Sequence, residues 1–305
     1  MLHITDRQID TLIDASSAQD VVRDAFLHFD HGNAATQARE RIQANGVKLS
    51  TMGAVIPGQE FAGAKVYTTI AGQFNFVILL FSTIDGRPLA TLEANAITRL
   101  RTAASSVVAA RYLARPDSRR MMLYGAGIQG QAHAYQFSKA YPLESIAVFD
   151  PYASDDVLRS IEKTCNVSVT RCTDHAPIED ADLIVTASRS REPLFDGNRV
   201  RPGTYIAAIG SSLPDTRELD DRLLARASTI AVEWKPQSLV EAGDFVLADP
   251  GLSIQERVVE LGALINGATY GRSHHDDITI YKAVGIGLED IALAGLAYQR
   301  LIANS

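Results

Sequence analysis

The sequence predicts an α/β fold, a doubly wound parallel sheet that follows an antiparallel sheet with its own helix. From residue 121 onward, short apolar segments (121–125, 145–150, 167–171, 182–188, 205–210 and 228–233) alternate with helical patterns or long loops. Parallel strands joined by crossover helices need that alternation. The first segment runs directly into Gly125, Gly127 and Gly130, in the order G-x-G-x-x-G, and then into the helical pattern "QGQAHAYQFSKAY". Residues 47–94, by contrast, hold runs rich in Val, Ile, Thr and aromatics with no helical pattern between them.

In chain order, "SSAQDVVRDAFLHFDHG" is the first strong helix. Ser16 or Ser17 is placed to cap it, and Val21, Val22, Ala25, Phe26 and Phe29 form one apolar stripe. Gly32 stands where it should stop. The strand-like runs are "VKLSTMGAVIP", "GAKVYTTI", "FVILLFSTI" and "PLATLEA", with "DGRP" at 85–88 as the last turn. Residues 96–114 form a long alanine-rich helix free of Gly and Pro, and "RPDSRR" breaks it. The tail "GIGLEDIALAGLAYQRLI" is amphipathic to apolar all round and is expected to return to the first sheet.

A chain of 305 residues suits two domains of ordinary size. The net charge of −7 comes from scattered acids and bases, with no basic run to attract nucleic acid or an anionic membrane surface. The opening "MLHITDRQID" carries acids and no long apolar stretch, so no signal peptide is expected. No segment reaches the length of uninterrupted apolar residues that a membrane span needs. Cys165 and Cys172 are too few for a disulfide framework and are not at zinc-ribbon spacing, which fits a reducing, cytoplasmic setting.

Context decides what a glycine loop does. After a strand and before a helix, Gly125 permits the tight turn, Gly127 lets backbone approach a pyrophosphate, and Gly130 allows close helix–strand packing. The helix N-terminus adds unpaired N–H groups and a partial positive charge. Asp150 ends the second strand twenty-five residues after Gly125, where a carboxylate can accept from a ribose 2′-hydroxyl and repel a 2′-phosphate. The stretch "FDPYASDD" has no Arg or Lys. NAD(H) is therefore favoured over NADP(H).

"LRTAASSVVAARYLA" followed by "GAGIQGQAH", then "IGSSLPDTRELDDRLLARA" and "TIYKAVGIGLEDIALA", resemble the ornithine cyclodeaminase/mu-crystallin family over nearly the whole chain. The resemblance implies a Rossmann domain, residues 116–274, inserted in an α+β substrate-binding and dimerisation domain made of residues 1–115 and 275–305. It implies a homodimer and a chemistry shared across the family's enzymes, hydride exchange at the α-carbon of a small amino or imino acid. Lys65 in "GAKVY" matches the family's active-site lysine, and Arg101 in "RTAA" its carboxylate-binding arginine. Arg41 matches the second such arginine by counting back from "AVIP", although Arg39 lies two residues away. The cofactor set is Thr102, Gly125, Ala126, Gly127, Ile128, Gln129, Gly130, Asp150, Gly210, Ser211 and Gly285.

These residue types suit the chemistry. Guanidinium groups grip a planar carboxylate through paired hydrogen bonds, and a lysine beside them has a lowered pKa and can pass a proton to an imine nitrogen. Family cyclodeaminases carry an acid/base aspartate just after the fifth Rossmann strand. Here that position is Ser212, which has no carboxylate-like pKa and is instead assigned to substrate binding. Asp215 and Asp220 nearby are expected at a turn and a helix start. The loop after Lys65 is also shorter than in the family, so an altered pocket wall supplied by Phe74, Phe76 or the partner subunit is expected. His274 and His275 read as an exposed loop rather than a metal site, and His133 as a packing residue. Lys282 is expected to contribute backbone contact near the nicotinamide end.

The reading is an NAD(P)H-dependent reductase of small α-imino acids, such as Δ1-pyrroline-2-carboxylate or Δ1-piperideine-2-carboxylate. A cyclodeaminase, an alanine dehydrogenase-type enzyme and a non-enzymatic cofactor-dependent binding protein stand as alternatives.

Overall fold

The structure is a computed structural model and describes residues 1–304. The chain divides into two units, Met1–Ser105 with the residues from Gly285 onward, and Ser106–Val284. Both edges lie ten residues from the expected ones. The alanine-rich helix runs unbroken through the first edge, so no turn marks it. The second edge is set by a strand at Thr279–Lys282 that belongs to the parallel sheet.

The first unit is built on a seven-stranded sheet: β1 (Leu2–Ile4), β2 (Ala35–Thr36), β3 (Glu40–Ala44), β4 (Val47–Ile56), β5 (Phe61–Ile70), β6 (Gln73–Ser82) and β7 (Pro88–Glu93). Pairings from β2 to β7 are antiparallel, and β1 adds a parallel edge to β7. Helices α1 (Asp6–Leu12) and α2 (Ala15–Asp30) precede the long strands. The cap of α2 is Asp14, whose carboxylate accepts from Ser17 N at 2.8 Å, and not Ser16 or Ser17. A charged acceptor two positions before Ser16 satisfies unpaired N–H groups of the first turn and lets the helix start sooner. The last helix, Gly287–Ala303, lies on β4, β5 and β6 and on α2, as the apolar tail predicts. Gly295 makes that approach possible, since a Cβ there would sit 2.2 Å from the Phe61 ring.

Helix α3 (Asn95–Leu113) leads to the second unit. Its sheet holds β8 (Arg120–Tyr124), β9 (Ser145–Phe149), β10 (Ser168–Arg171), β11 (Leu183–Thr186), β12 (Tyr205–Ala208), β13 (Thr229–Val232), β14 (Val258–Glu260) and β15 (Thr279–Lys282). All pairings are parallel, in the order β10-β9-β8-β11-β12-β15-β13-β14. The expected six strands are present, and two more join them. β15 inserts between β12 and β13, and β14 forms the far edge. Both are too short, at four and three residues, to show a period of their own. The strand order reverses between β8 and β11, the switch point where a doubly wound sheet opens a crevice beyond its carboxyl ends. Helices α4 (Ile128–Ala140) and α5 (Asp155–Cys165) follow β8 and β9.

Candidate active site

Cross-strand partners share a sheet face. The registers Met52↔Lys65↔Ile78 and Ser50↔Tyr67↔Phe76 therefore place Lys65 and Tyr67 together on the face that the last helix covers. Lys65 is only 2% exposed. Its Nζ donates to Asp290 Oδ1 at 2.7 Å, in the first turn of the last helix, where a carboxylate is also favoured by the helix dipole. Arg101 of α3 donates Nε to the same oxygen at 3.0 Å and Nη1 to Glu289 Oε2 at 2.9 Å. Glu289 further accepts from Ser105 Oγ and from Ile286 N. Two cations thus alternate with two carboxylates, all buried, and each charge has an opposite neighbour.

Burial pushes the Lys65 ammonium down to about 8. Asp290 opposes that fall, and the Arg101 and Arg39 guanidinium groups add to it. Burial alone would raise the Asp290 carboxyl, but Arg101 and Lys65 hold it below its ordinary value. The result is a lysine that changes protonation just above neutrality, as a proton donor and acceptor should.

Arg39 and Arg41, two residues apart, are placed differently, and the Arg39 guanidinium acts on Lys65. Arg39 donates Nη2 to Gly285 O at 2.7 Å and points Nε at Met52 Sδ, 3.4 Å away. Arg41, in β3, is paired with Ser50, in the row next to that of Lys65 on the same face. Gly285 has φ +78°, and a Cβ there would lie 2.8 Å from the Arg101 guanidinium nitrogens. It belongs to the first unit and packs on Arg101. The Thr102 hydroxyl donates to Thr98 O in its own helix at 2.7 Å.

The second unit carries the glycine loop. Gly125 has φ +91°, and a Cβ there would meet Ala187 O at 2.6 Å; one on Gly130 would meet Gly125 O at 1.9 Å. Gly127 caps α4 with open space around its Cβ position, so backbone N–H groups at the helix start are exposed to a ligand. A pyrophosphate fits that cradle. Ala126 sits in the loop, Ile128 and Gln129 open the helix, and the Ile128 side chain is exposed. Asp150 accepts from Ala126 N at 2.8 Å and Tyr152 N at 2.9 Å, which fixes the carboxylate at the end of β9. Arg171 of β10 donates to Ala153 O and to Asp155, so an arginine does stand beside this turn, already paired with an acid.

Two buried carboxylates near the ends of β11, β12 and β15, Glu218 and Asp244, escaped the sequence reading. Glu218 is fully buried and accepts from Thr186 Oγ1, Ser188 N and Oγ, Gly210 N and Ser211 N. Burial raises its pKa, while Lys282 and the donors oppose the rise. Lys282 pairs with Asp244 at 2.7 Å and donates to Ser211 O at 2.6 Å. Its side chain is thus engaged, beyond the expected backbone role. Gly210 and Ser211 are thereby pinned from both sides, and the next residue, Ser212, is half-buried. Asp215 pairs with Arg191 at the surface, and Asp220 caps a short helix through Leu223 N. His133 lies between Gln129 O and Ser106 Oγ, and burial lowers its pKa to about 4, so it is a neutral packing group at pH 7. Among the described residues, no group of three or more His, Cys, Asp or Glu is arranged to hold a metal, and no helix is long and apolar enough to cross a membrane.

Sheet order and glycine cradle together define a dinucleotide-binding fold. A model of the ornithine cyclodeaminase/mu-crystallin family matches residues 1–305, and the chain belongs to that family. It is 30% identical over 258 residues to the ketimine reductase mu-crystallin of Mus musculus, covering 82% of this chain and 79% of the relative. It superposes on the crystal structure of probable ornithine cyclodeaminase from Bordetella pertussis Tohama I with a TM-score of 0.98, at 54% identity and covering 100% and 98% of the two chains. For Thermococcus litoralis Delta(1)-pyrroline-2-carboxylate reductase, solved with NADH and L-proline, the TM-score is 0.94 at 27% identity, with 100% and 98% covered.

Proposed function

We propose that this protein is an NAD(H)-dependent reductase of small α-imino acids, Δ1-pyrroline-2-carboxylate and Δ1-piperideine-2-carboxylate among them. The buried Lys65, held at about 8 between Asp290 and the arginines, is the observation that carries the reading. Arg101 and Arg41 grip the substrate carboxylate and fix the α-carbon. Lys65 passes its proton to the imine nitrogen, which makes the α-carbon electrophilic. A nicotinamide cofactor held by the Gly125–Gly130 loop would supply the hydride. Asp290 and Arg101 keep Lys65 in place and return its charge balance as the proton leaves.

Asp150 supports NAD(H), because its carboxylate, held by Ala126 N, would accept from a free ribose hydroxyl, and the neighbouring Arg171 is already paired with Asp155. The outer sheet face exposes Val55, Ile70, Val77, Leu79 and Phe81. An apolar face of that extent supports burial against a second copy in a homodimer.

The relatives divide on the reaction. Likeness to the Bordetella protein favours a cyclodeaminase, which must release ammonia and close a ring. Ser212 stands against it, since a hydroxyl cannot replace the carboxylate acid/base of that chemistry. Initial rates with NADH and each cyclic imine test the proposal, with K65M as the control. Turnover lost in K65M is expected. Ammonia and proline formed from ornithine with catalytic NAD⁺, without imine reduction, would establish the cyclodeaminase instead.

A further inference from the structure

The turns that follow β11 and β12 in the second unit are tied to one side chain. Glu218 Oε1 accepts from Ser188 N at 2.8 Å and from Ser188 Oγ at 2.7 Å. Its Oε2 accepts from Gly210 N at 2.8 Å, Ser211 N at 3.2 Å and Thr186 Oγ1 at 2.8 Å. Backbone N–H groups on both turns are among the donors, so the carboxylate fixes the main chain beyond two neighbouring strands at once. Gly210 lets the turns close on it, since a Cβ there would lie 2.3 Å from Ser188 O and 2.4 Å from Glu218 Oε1.

The hold continues on the far side. Lys282, at the end of β15, donates Nζ to Ser211 O at 2.6 Å and pairs with Asp244 at 2.7 Å. Asp244 Oδ1 in turn accepts from Glu218 N at 2.7 Å and Leu219 N at 2.8 Å. The Ser211 hydroxyl donates to Thr216 O. Ser211 is therefore bound through its N–H, its carbonyl and its side chain. Burying two carboxylates around one lysine costs more than a neutral, well-packed alternative would, which gives the placing of these turns a purpose beyond packing.

Sheet order says what that purpose is. Asp150 follows β9, on one side of β8 and its glycine loop, and the Glu218 turns follow β11 and β12, on the other side. The turn after β11 touches the loop itself, because a Cβ on Gly125 would lie 2.6 Å from Ala187 O. A dinucleotide with its pyrophosphate on the loop and its adenosine ribose toward Asp150 extends its other half over β11 and β12.

We propose that Glu218 is a positioning residue for the nicotinamide half of the cofactor. Fully buried, it acts through the Ser188 and Gly210–Ser211 backbone, whose spacing sets the floor that the nicotinamide end meets. This rests on the dinucleotide reading above and not on any choice of substrate.

The test is calorimetric binding of NADH and of ADP-ribose, which keeps the adenosine and pyrophosphate and lacks the nicotinamide. In Glu218→Gln the amide NH2 faces at least one backbone N–H whichever way it is turned, so one turn must open. Gly210→Ala opens the same contact by bulk and leaves the carboxylate in place, and it decides the matter should E218Q not fold. Each variant should weaken NADH about tenfold and leave ADP-ribose within about twofold of the wild type. Equal losses for the two ligands, or unchanged NADH affinity in a folded variant, would reduce Glu218 to a structural role and overturn the inference. Wild-type protein that binds neither ligand would overturn the dinucleotide reading, and the inference with it. No outcome depends on turnover.

Discussion

Asp290→Asn removes one charge from the Lys65 cluster while keeping its shape. Asp290 is the carboxylate nearest Lys65 Nζ, at 2.7 Å, and it resists the fall in pKa caused by burial and by Arg101 and Arg39. An opposite charge at that range shifts a pKa by roughly one to three units. Lys65 in D290N is therefore expected to titrate at about 7 or below, from about 8 in the wild type. The sign follows from which form works. Imine reduction needs the ammonium, so its kcat/KM falls as pH rises through the lysine pKa; amino-acid oxidation needs the free amine and rises through it. In D290N both inflections move to lower pH, and at pH 8 the reductive rate drops about fivefold or more while the oxidative rate rises by up to about twofold. The assay follows NADH absorbance in both directions between about pH 6 and about pH 10. Substrate ionisation is common to both enzymes, so the difference between them reports the protein group alone. Breaking a buried pair also costs roughly 3–5 kcal/mol, so the D290N melting temperature should fall. An inflection that stays at its wild-type pH, or moves up, would show that Lys65 is not the proton donor.

Gly130→Ala places a methyl 1.9 Å from Gly125 O, so the loop must open, and NADH should bind at least about tenfold more weakly by fluorescence titration; unaltered binding would remove the cradle from consideration. Asp150→Ser should raise KM for NADH about tenfold and narrow the preference over NADPH, and an unchanged ratio would sink the ribose assignment. Gly285→Ala strains a residue at φ +78° and pushes on the Arg101 guanidinium, so KM for the imine should rise more than KM for NADH. Leu79→Asp puts a charge on the apolar outer face and should convert a dimer to monomers in gel filtration at micromolar concentration; an unmoved elution volume would place any dimer contact elsewhere.

What the sequence could disclose follows from the range of each interaction. The βα pattern and the glycine loop are local, so Gly125, Gly127 and Gly130 are read from their spacing, and their close approaches to backbone agree. The strands β14 and β15 are not local signals. Each is only as long as its contact with neighbours far away in sequence, and β15 pairs with both β12 and β13. The same limit applies to charge. Glu289 and Asp290 were in plain view as adjacent acids in an otherwise apolar tail, and burying acids there demands cationic partners. That demand fits Lys65 and Arg101, the cations that "GAKVY" and "RTAA" single out on other grounds, and it links the four residues. Glu218 gave no such warning, because it lies in an acid-rich stretch with Asp215, Asp220 and Asp221, and only tertiary placement separates the buried member from the solvated ones.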